Sequence, residues 1–252
     1  MAWYAYCLTE QQALSNGTRT RRPFLLEGIQ GVNGAPVLSY PSGEFAVVVS
    51  EYDRSNGGEG DRLDEKVVLE HARVVSVCFR HGTVLPFRFG TIFDSDEALR
   101  QAVRANRRTF GLSVARLRGK SEMHLKVLVK DGSLRAAMAD VQLPDCVGGE
   151  YLSKLREKAS KERERQTKAR ALSVQVHKMF NPLEEEVSCK RVNTDGMLID
   201  IAHLIDSKSV EKYQNRYSSA AKQLKNCELA ISGPWPPYHF LPGKLRTVAG
   251  NS

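Results

Sequence analysis

The residues best suited by type to hold a metal ion are His71, Cys78 and His81, which recur at spacings of seven and three. Zinc prefers four imidazole or thiolate ligands arranged in a tetrahedron, and the sequence offers no fourth ligand of that kind nearby. His71 and Cys78 also fall on the apolar face of a predicted helix, where a hydrogen-bonded core histidine and a buried thiol are the plainer explanation. A small enzyme or metal-binding protein that uses these three residues is kept as the alternative hypothesis.

Motifs that would support catalysis are missing from the chain. It contains no Gly-rich phosphate loop ending in Gly-Lys-Ser/Thr, and no His-Glu-x-x-His, Gly-x-Ser-x-Gly or Cys-x-x-Cys. The acidic run at 184–186 is interpreted as a solvated strand edge. Asp94 and Asp96 stand where a helix begins, a position that favours carboxylates without any catalytic role. The sequence therefore predicts no catalytic residues, no cofactor and no metal.

A long basic helix is predicted over 149–179. Between Lys154 and Arg170 eight residues are basic and three are acidic, a surplus of +5. Glu157–Lys161 and Glu164–Lys168 have the i,i+4 spacing that stabilises an exposed helix. Apolar residues occur near the two ends of this helix, as Leu152, Leu155 and Ala159 and then as Ala169, Leu172, Val176 and Phe180. We therefore expect its middle to project from the domain or to lie on the surface.

Two further segments are unusual for an ordinary core. In the first, residues 85–93, Arg88 stands between two phenylalanines and Gly90 permits a tight bend. In the second, residues 233–240, three prolines within four positions keep the chain rigid, either as a tail folded onto a domain or as a partner-binding segment. With the basic helix, these segments give the candidate partner-binding residues Arg88, Phe89, Lys161, Arg163, Arg165, Lys168, Trp235, Pro236, Pro237 and Tyr238.

The pattern of apolar residues predicts an α+β chain of two domains. The N-terminal α+β domain, 1–118, should contain strands at 2–8, 24–29 and 45–52, helices at 63–80 and from Asp94 or Ser95 to 117, and an extended segment at 84–93. The C-terminal domain, 119–252, should contain strand 121–130, a short helix 133–140, the long helix, strands 183–193 and 196–205, helix 207–226 and strand 227–232. Apart from the short helix, this order is βαββαβ, the ferredoxin-like arrangement with a long first helix, here followed by a Pro/Trp-rich tail.

Composition narrows the class of partner. The 252 residues carry a formal net charge of +8, which admits nucleic acid, an anionic membrane or an acidic protein. No recognisable RNA-binding aromatic motif accompanies the basic residues, and no stretch approaches the about 18 apolar residues that span a membrane. Five widely spaced cysteines indicate a reducing cytoplasm. We therefore expect a cytoplasmic protein with a protein partner, and keep an RNA-binding module as a further hypothesis.

Several of these features occur together in one known family. Tyr4-Ala5-Tyr6, Glu70-His71, the segment 84–93 and Gly-Pro-Trp-Pro-Pro-Tyr-His-Phe at 233–240 stand in family order, and Glu122 to Gly132 resembles the opening of the family's second domain. The chain therefore resembles the gas vesicle protein F/L family over nearly its whole length, up to about residue 240. Its Gly-Pro-Trp-Pro-Pro-Tyr end is most similar to the F members.

The resemblance implies a non-enzymatic accessory or minor structural component of the gas vesicle, a gas-filled protein shell used for buoyancy. It implies binding to the hydrophobic shell protein, contact with other accessory gas vesicle proteins, and help with nucleation and assembly by preventing shell-protein aggregation. It also implies an α+β first domain and a ferredoxin-like second domain. The family supplies no catalytic residues to carry over. One departure is the alternating apolar segment 197–205, where the family often has an Asn-rich or Ala-Tyr-Leu-Val-like stretch.

Overall fold

The fold is described by a computed structural model that covers residues 1–15, 20–53, 65–129, 148–194, 197–224 and 227–243. It is a mixed α and β chain, as the sequence predicts, and it contains two antiparallel sheets and several helices. Contacts divide it into unit 1, which comprises Met1–Ser121 and the stretch from Trp235 onward, and unit 2, Glu122–Pro234. The Pro/Trp-rich tail from Trp235 is grouped with unit 1, whereas the sequence predicts it in the second domain; the domain boundary at 118/119 stays a prediction.

Unit 1 is built on a six-stranded sheet with the order β2-β3-β4-β1-β5, and β6 also pairs with β1. The strands are β1 (Ala2–Glu10), β2 (Phe24–Gln30), β3 (Pro36–Ser42), β4 (Phe45–Tyr52), β5 (Val84–Pro86) and β6 (Ile92–Phe93). β1 and β4 are antiparallel neighbours and are almost completely buried, because both are largely apolar and carry a charged residue only near the carboxyl end, Glu10 in β1 and Glu51 in β4. They form the centre of this unit's core.

Two amphipathic helices belong to unit 1. α1 (Glu65–His81) buries Val67, His71, Val74, Val75 and Cys78, which recur at helical spacing on one face. α2 (Asp96–Leu117) begins at the expected cap, since the Ser95 hydroxyl accepts a hydrogen bond from the Ala98 N–H at 3.1 Å. Both helices therefore form where the sequence predicts them, with their predicted faces turned inward.

Strand β3 is the element of unit 1 that the sequence does not predict. Gly31, Gly34, Pro36, Pro41 and Gly43 are turn-forming residues, and they indicate a connection rather than a strand. In the structure Pro36 occupies the first position of β3, where a missing N–H is tolerated. Val37 and Tyr40 are nevertheless buried, because β3 lies between β2 and β4.

Unit 2 has the element order β-α-β-β-α-β. Its elements are β7 (Lys120–Val129), α3 (Gly148–Phe180), β8 (Glu186–Thr194), β9 (Met197–Asp206), α4 (Val210–Gln223) and β10 (Cys227–Trp235), and its sheet has the order β10-β7-β9-β8. The core contains Met123 and Leu125 of β7, Ile199 and Ile201 of β9, and Val176 and Phe180 of α3, together with Tyr213 of α4. The predicted helix 133–140 lies outside the described residues.

No helix in the described ranges is both long and apolar enough to cross a membrane.

Candidate functional site

His71 is part of a buried aromatic cluster and does not face an open metal site. Its Nδ1 lies 3.0 Å from the Tyr4 hydroxyl, and its ring is 5.4 Å from that of Tyr6 and 5.7 Å from that of Phe89, between ring centroids. Burial lowers the pKa of His71 to about 4, with a hydrogen bond to the Phe87 backbone acting in the opposite direction. The imidazole is therefore neutral, and it joins α1 to β1 as a hydrogen-bonded core residue.

Cys78 and His81 do not complete a metal site with His71. Cys78 is buried and hydrogen-bonded to Cys7, and this bond, followed by burial, raises the pKa of the Cys7 thiol well above its usual range. His81 is exposed at the end of α1. Seven residues of helix separate His71 from Cys78, about 10 Å of rise, so one ion could not reach both. The metal-binding alternative is therefore not favoured, because two of its three ligands serve packing.

A tight turn presents Arg88 on the surface of unit 1. The Thr91 N–H donates to the Arg88 carbonyl at 3.1 Å, which closes a four-residue turn between β5 and β6. Gly90 takes the third position of this turn with a φ of +78°, a conformation that L side chains rarely adopt. The turn is held to β1 because the Gly90 N–H donates to the Tyr4 hydroxyl at 3.4 Å.

Arg88 and Phe89, both predicted to bind a partner, have different environments in this turn. Phe89 is half-buried, and its ring lies against those of Tyr4 and His71. Arg88 is exposed, and its guanidinium makes no ion pair with any residue that the structure describes. Phe89 therefore packs within the protein, while Arg88 is available to a partner.

The Pro/Trp-rich tail combines anchored and exposed side chains. Trp235 is 43% exposed and Tyr238 is 37% exposed. Pro236 and Pro237, which the sequence predicts as partner contacts, are buried between them. Phe240 is also buried, and the Arg116 guanidinium donates to its carbonyl oxygen. The prolines and Phe240 therefore fix the tail, so that two aromatic rings are held at the surface.

The backbone conformation and close neighbours of Gly233, at the start of the tail motif, leave no room for a side chain. Its φ is +122°, and a Cβ placed on it would lie 2.8 Å from the Glu122 carbonyl oxygen and 2.9 Å from the Met123 Sδ. We expect Gly233→Ala to lower the free energy of unfolding by about 2–4 kcal/mol, since it combines backbone strain with a collision. Urea unfolding followed by circular dichroism measures this loss. Gly243→Ala, with nothing within 4 Å, is the control and should be neutral; equal effects of the two substitutions would contradict this explanation.

The amino-terminal half of α3 is exposed. In residues 153–168 every side chain that the structure describes is exposed, apart from the half-buried Glu162. This stretch contains the predicted contacts Lys161, Arg163 and Lys168, while the side chain of Arg165 lies outside the described part. The expected middle of the helix is therefore exposed, and the exposure extends to Leu155 and Ala159, which the apolar pattern had suggested as packing residues.

One of the two predicted ion pairs of α3 forms. Lys161 Nζ lies 2.7 Å from Glu157 Oε1, and this pairing lowers the pKa of Glu157. Glu164 and Lys168, although both are described, do not form an ion pair. The basic surplus of α3 is therefore only partly neutralised within the helix.

The arginines of α2 differ from those of α3, because most have partners inside unit 1. Arg107 makes two hydrogen bonds to the Glu44 carboxylate at 2.8 and 2.6 Å, and Arg104 pairs with Glu97. Arg100 donates to the Tyr40 hydroxyl at 2.9 Å. Within unit 1, carboxylates therefore neutralise Arg104 and Arg107, while Arg100 is held by a neutral hydroxyl group.

Sequence reasoning missed a buried polar cluster in unit 2. The sequence indicates a solvated strand edge at Glu184, but the Glu184 side chain is only 4% exposed, and its Oε1 lies 2.6 Å from His177 Nδ1. His203 Nε2 lies 3.2 Å from Glu184 Oε2, and His203 Nδ1 lies 2.7 Å from the Tyr213 hydroxyl oxygen. The Phe180 ring stacks on the His203 ring. Burial raises the pKa of Glu184 and lowers that of His203 to about 4. The one sequence signal for this cluster is the spacing of three residues between His177 and Phe180, which places both side chains on the same side of α3.

Comparisons with known proteins agree on one group. The family described as "Gas vesicle synthesis protein GvpL/GvpF" matches residues 2–242. Gas vesicle protein F1 of Halobacterium salinarum is 22% identical over 241 residues, 94% of this chain and 92% of that protein. Gas vesicle protein L of a Streptomyces species is 23% identical over 240 residues, 87% of this chain and 89% of that protein.

Solved structures show the same fold. The crystal structure of GvpF from Anabaena has a TM-score of 0.72 to this chain, with 19% identity and 99% of each chain covered. That of GvpF from Microcystis aeruginosa has a TM-score of 0.67, with 18% identity, and covers 95% of this chain and 98% of its own. At this level of identity the likeness establishes the fold, and both units take part in it.

Proposed function

Because the chain belongs to the gas vesicle GvpL/GvpF family, we propose that it binds the hydrophobic shell protein of the gas vesicle and assists nucleation by keeping that protein from aggregating. Family membership itself supports an accessory role in the gas vesicle and association with other gas vesicle proteins. The binding of shell protein is the finer step, and it rests on the surfaces described above.

The observation that carries the proposal is the pair of exposed aromatic rings in the tail. Trp235 and Tyr238 are held outward by buried neighbours, so little conformational entropy is lost when they bind. Exposed aromatic side chains of this kind are enriched at protein interfaces, where they supply apolar contact area and a polar group for hydrogen bonding. An apolar shell protein that has not yet assembled offers the complementary surface.

Cationic residues supply a second part of the proposed surface. Arg88 on its glycine turn and Lys161, Arg163, Arg165 and Lys168 on α3 are the candidates. Long-range attraction by such charges raises association rates and selects acidic or polar partners. We assign Phe89, Pro236 and Pro237 to the support of these side chains.

We propose that the protein consists of two domains that correspond to the two units. We propose that they act as an N-terminal α+β domain and a C-terminal ferredoxin-like domain, supported in unit 2 by the element order β-α-β-β-α-β and the sheet order β10-β7-β9-β8. The tail connects the last strand of the second domain to a segment that packs with the first. No catalytic function is proposed, since His71 and Cys78, two of the three residues of the enzymatic alternative, serve packing.

The test is binding of purified full-length chain to shell protein from the same vesicle system, measured by biolayer interferometry. We expect Trp235→Ala combined with Tyr238→Ala to weaken binding at least tenfold, which corresponds to about 1.4 kcal/mol. In light-scattering assays, the native chain should slow shell-protein aggregation and the double variant should not.

Leu112→Ala is the matched control, because Leu112 is a 65% exposed apolar residue of α2 outside the proposed surface. This variant should bind as tightly as the native chain. Absence of binding by the native chain, or equal binding by the tail variant, would refute the proposal.

A further inference from the structure

The exposed half of α3 continues the line of side chains by which the rest of this helix packs into unit 2. Leu155 is 44% exposed and Ala159 is exposed, although they lie on the same side of the helix as residues that are buried further along. Positions 155, 159, 162, 166, 169, 173, 176 and 180 alternate spacings of four and three, the repeat that places side chains on one seam. Ala169, Val176 and Phe180 of this seam pack into the core of unit 2. The seam thus continues along the helix as an exposed face that none of the residues in the described ranges covers.

The residues that flank this seam have a single sign of charge. In a heptad repeat with Leu155 at d and Ala159 at a, the e and g positions between 155 and 170 are 156, 158, 163, 165 and 170. All five are basic in this sequence: Arg156, Lys158, Arg163, Arg165 and Arg170. The acidic residues Glu157 and Glu164 fall instead at the outer f position, and Glu157 is paired there with Lys161. Charges at e and g face the neighbouring helix and decide which helices can pair.

We propose that residues 153–168 of α3 bind an amphipathic helix of another gas vesicle protein, one whose apolar seam is flanked by acidic residues. The proposal rests on the proposed accessory function for the identity of the system, but its chemistry comes from the seam and its basic flanks. Arg156, Lys158 and Arg163 are exposed, and none of them makes an ion pair with a residue that the structure describes. They are therefore available to acidic residues of the partner.

A second copy of this chain does not fit the same face. Pairing of two such helices would place basic e positions opposite basic g positions if the helices ran parallel, and e opposite e and g opposite g if they ran antiparallel. Like charges would meet in both arrangements and oppose association. The polar residues Glu162 and Gln166, which hydrogen-bond to each other at 3.0 Å, also interrupt the seam. The contact is therefore short, about 24 Å of helix, and should depend strongly on salt.

The proposal is tested with a synthetic 21-residue peptide that has leucine at its seam positions and glutamate at its flanking positions. A second peptide, with lysine in place of the glutamates, is its matched control. Fluorescence anisotropy with the full-length chain should show binding of the glutamate peptide, at least tenfold weaker on raising the salt from 50 to 300 mM. The lysine peptide should not bind.

Two triple variants separate the seam from general electrostatics. The inner variant reverses charges at e and g positions and consists of Arg156→Glu, Lys158→Glu and Arg163→Glu. The outer variant makes the same change in net charge at c positions, which face away from the seam, and consists of Lys154→Glu, Lys161→Glu and Lys168→Glu. We expect the inner variant to bind the glutamate peptide at least tenfold more weakly and the outer variant less than threefold. Circular dichroism should show both variants folded, since all six positions are exposed.

Several results would overturn the proposal. These are equal losses in both variants, binding of the lysine peptide, no binding of either peptide at 50 mM salt, or a dimer of the native chain that the inner variant abolishes. If the peptide bound only after residues 130–147 had been replaced by a flexible linker, residues 130–147 of this chain, and not another protein, would be the natural occupant of the face. Failure here leaves the binding of shell protein through Trp235 and Tyr238 intact, so the two proposals fail separately.

Discussion

Replacement of Gly31 by alanine should lower the free energy of unfolding by about 3 kcal/mol or more, although it adds only one methyl group. A Cβ on Gly31 would lie 2.1 Å from the Tyr6 hydroxyl oxygen and 2.6 Å from the Ser50 Oγ. Tyr6 is fully buried, and its hydroxyl bonds to Ser50 at 3.0 Å and accepts from the Val32 N–H at 2.8 Å. The methyl group therefore cannot be accommodated without breaking this buried network.

A double-mutant cycle tests the cause. Tyr6→Phe removes the hydroxyl that collides and should by itself cost about 1–3 kcal/mol, because it leaves buried partners without a hydrogen bond. The combination Gly31→Ala/Tyr6→Phe should be at least about 1 kcal/mol more stable than the sum of the single effects.

Gly111→Ala provides the comparison, since its Cβ would meet nothing closer than Phe45 at 3.9 Å. Alanine in a helix interior is favoured over glycine by up to about 1 kcal/mol. This variant should therefore be neutral or more stable in urea unfolding. Additive effects in the Gly31–Tyr6 cycle would show that the cost of alanine has another origin.

Acidification should destabilise unit 1 through His71. Its pKa is about 4 in the folded protein, against 6.5 for an unperturbed histidine. The unfolded chain therefore binds more protons between these values, and the stability that is present above pH 6.5 is lost as the pH falls toward 4. At pH 4.5 the loss from this residue alone should be roughly 2–3 kcal/mol relative to pH 7.

The measurement is urea unfolding of the native chain and His71→Gln at pH 7, 5.5 and 4.5. The variant should be less stable at pH 7, and its difference from the native chain should shrink by roughly 2–3 kcal/mol at pH 4.5. His81→Gln, at an exposed position of α1, should follow the native chain throughout. A constant difference between native and His71→Gln stability would contradict the assigned role.

Acidification should destabilise unit 2 less than unit 1, although unit 2 also contains a buried histidine, His203. The pKa of His203 is also lowered by burial to about 4, but the neighbouring Glu184 has a raised pKa. A buried carboxyl with a raised pKa gains stability as the pH falls over its own titration range, which offsets the loss from the histidine. The net change in unit 2 is therefore smaller than that expected from His71.

The sequence predicts the helices well because their signals are local. The Ser95 cap, the apolar face of α1 and the long basic helix all follow from spacing over a few turns. β3 could not be predicted, since Pro36 and Pro41 indicate turns and its burial depends on neighbours β2 and β4 from other parts of the chain. Likewise, β10 continues to Trp235 through a Gly-Pro pair at which a strand would be expected to end.

The candidate site shows the same division between local and long-range information. The unusual composition of the turn and tail segments identifies them, but only the structure separates exposed Arg88, Trp235 and Tyr238 from buried Pro236 and Pro237. The role of His71 depends on Tyr4, which is 67 residues away. Such long-range contacts explain why the motif residues near positions 4, 71 and 90 occur together, since they hold one turn against one strand.

We propose above that this protein assists gas vesicle assembly through its contacts with other vesicle proteins. The most direct measurement is complementation, in which vesicle-forming cells that lack this chain receive either the native form or Trp235→Ala/Tyr238→Ala. We expect pressure-collapsible light scattering, the signature of intact vesicles, to be absent without the chain, restored by the native form and at least severalfold reduced with the tail variant. Normal vesicles in cells that lack the chain would contradict the account.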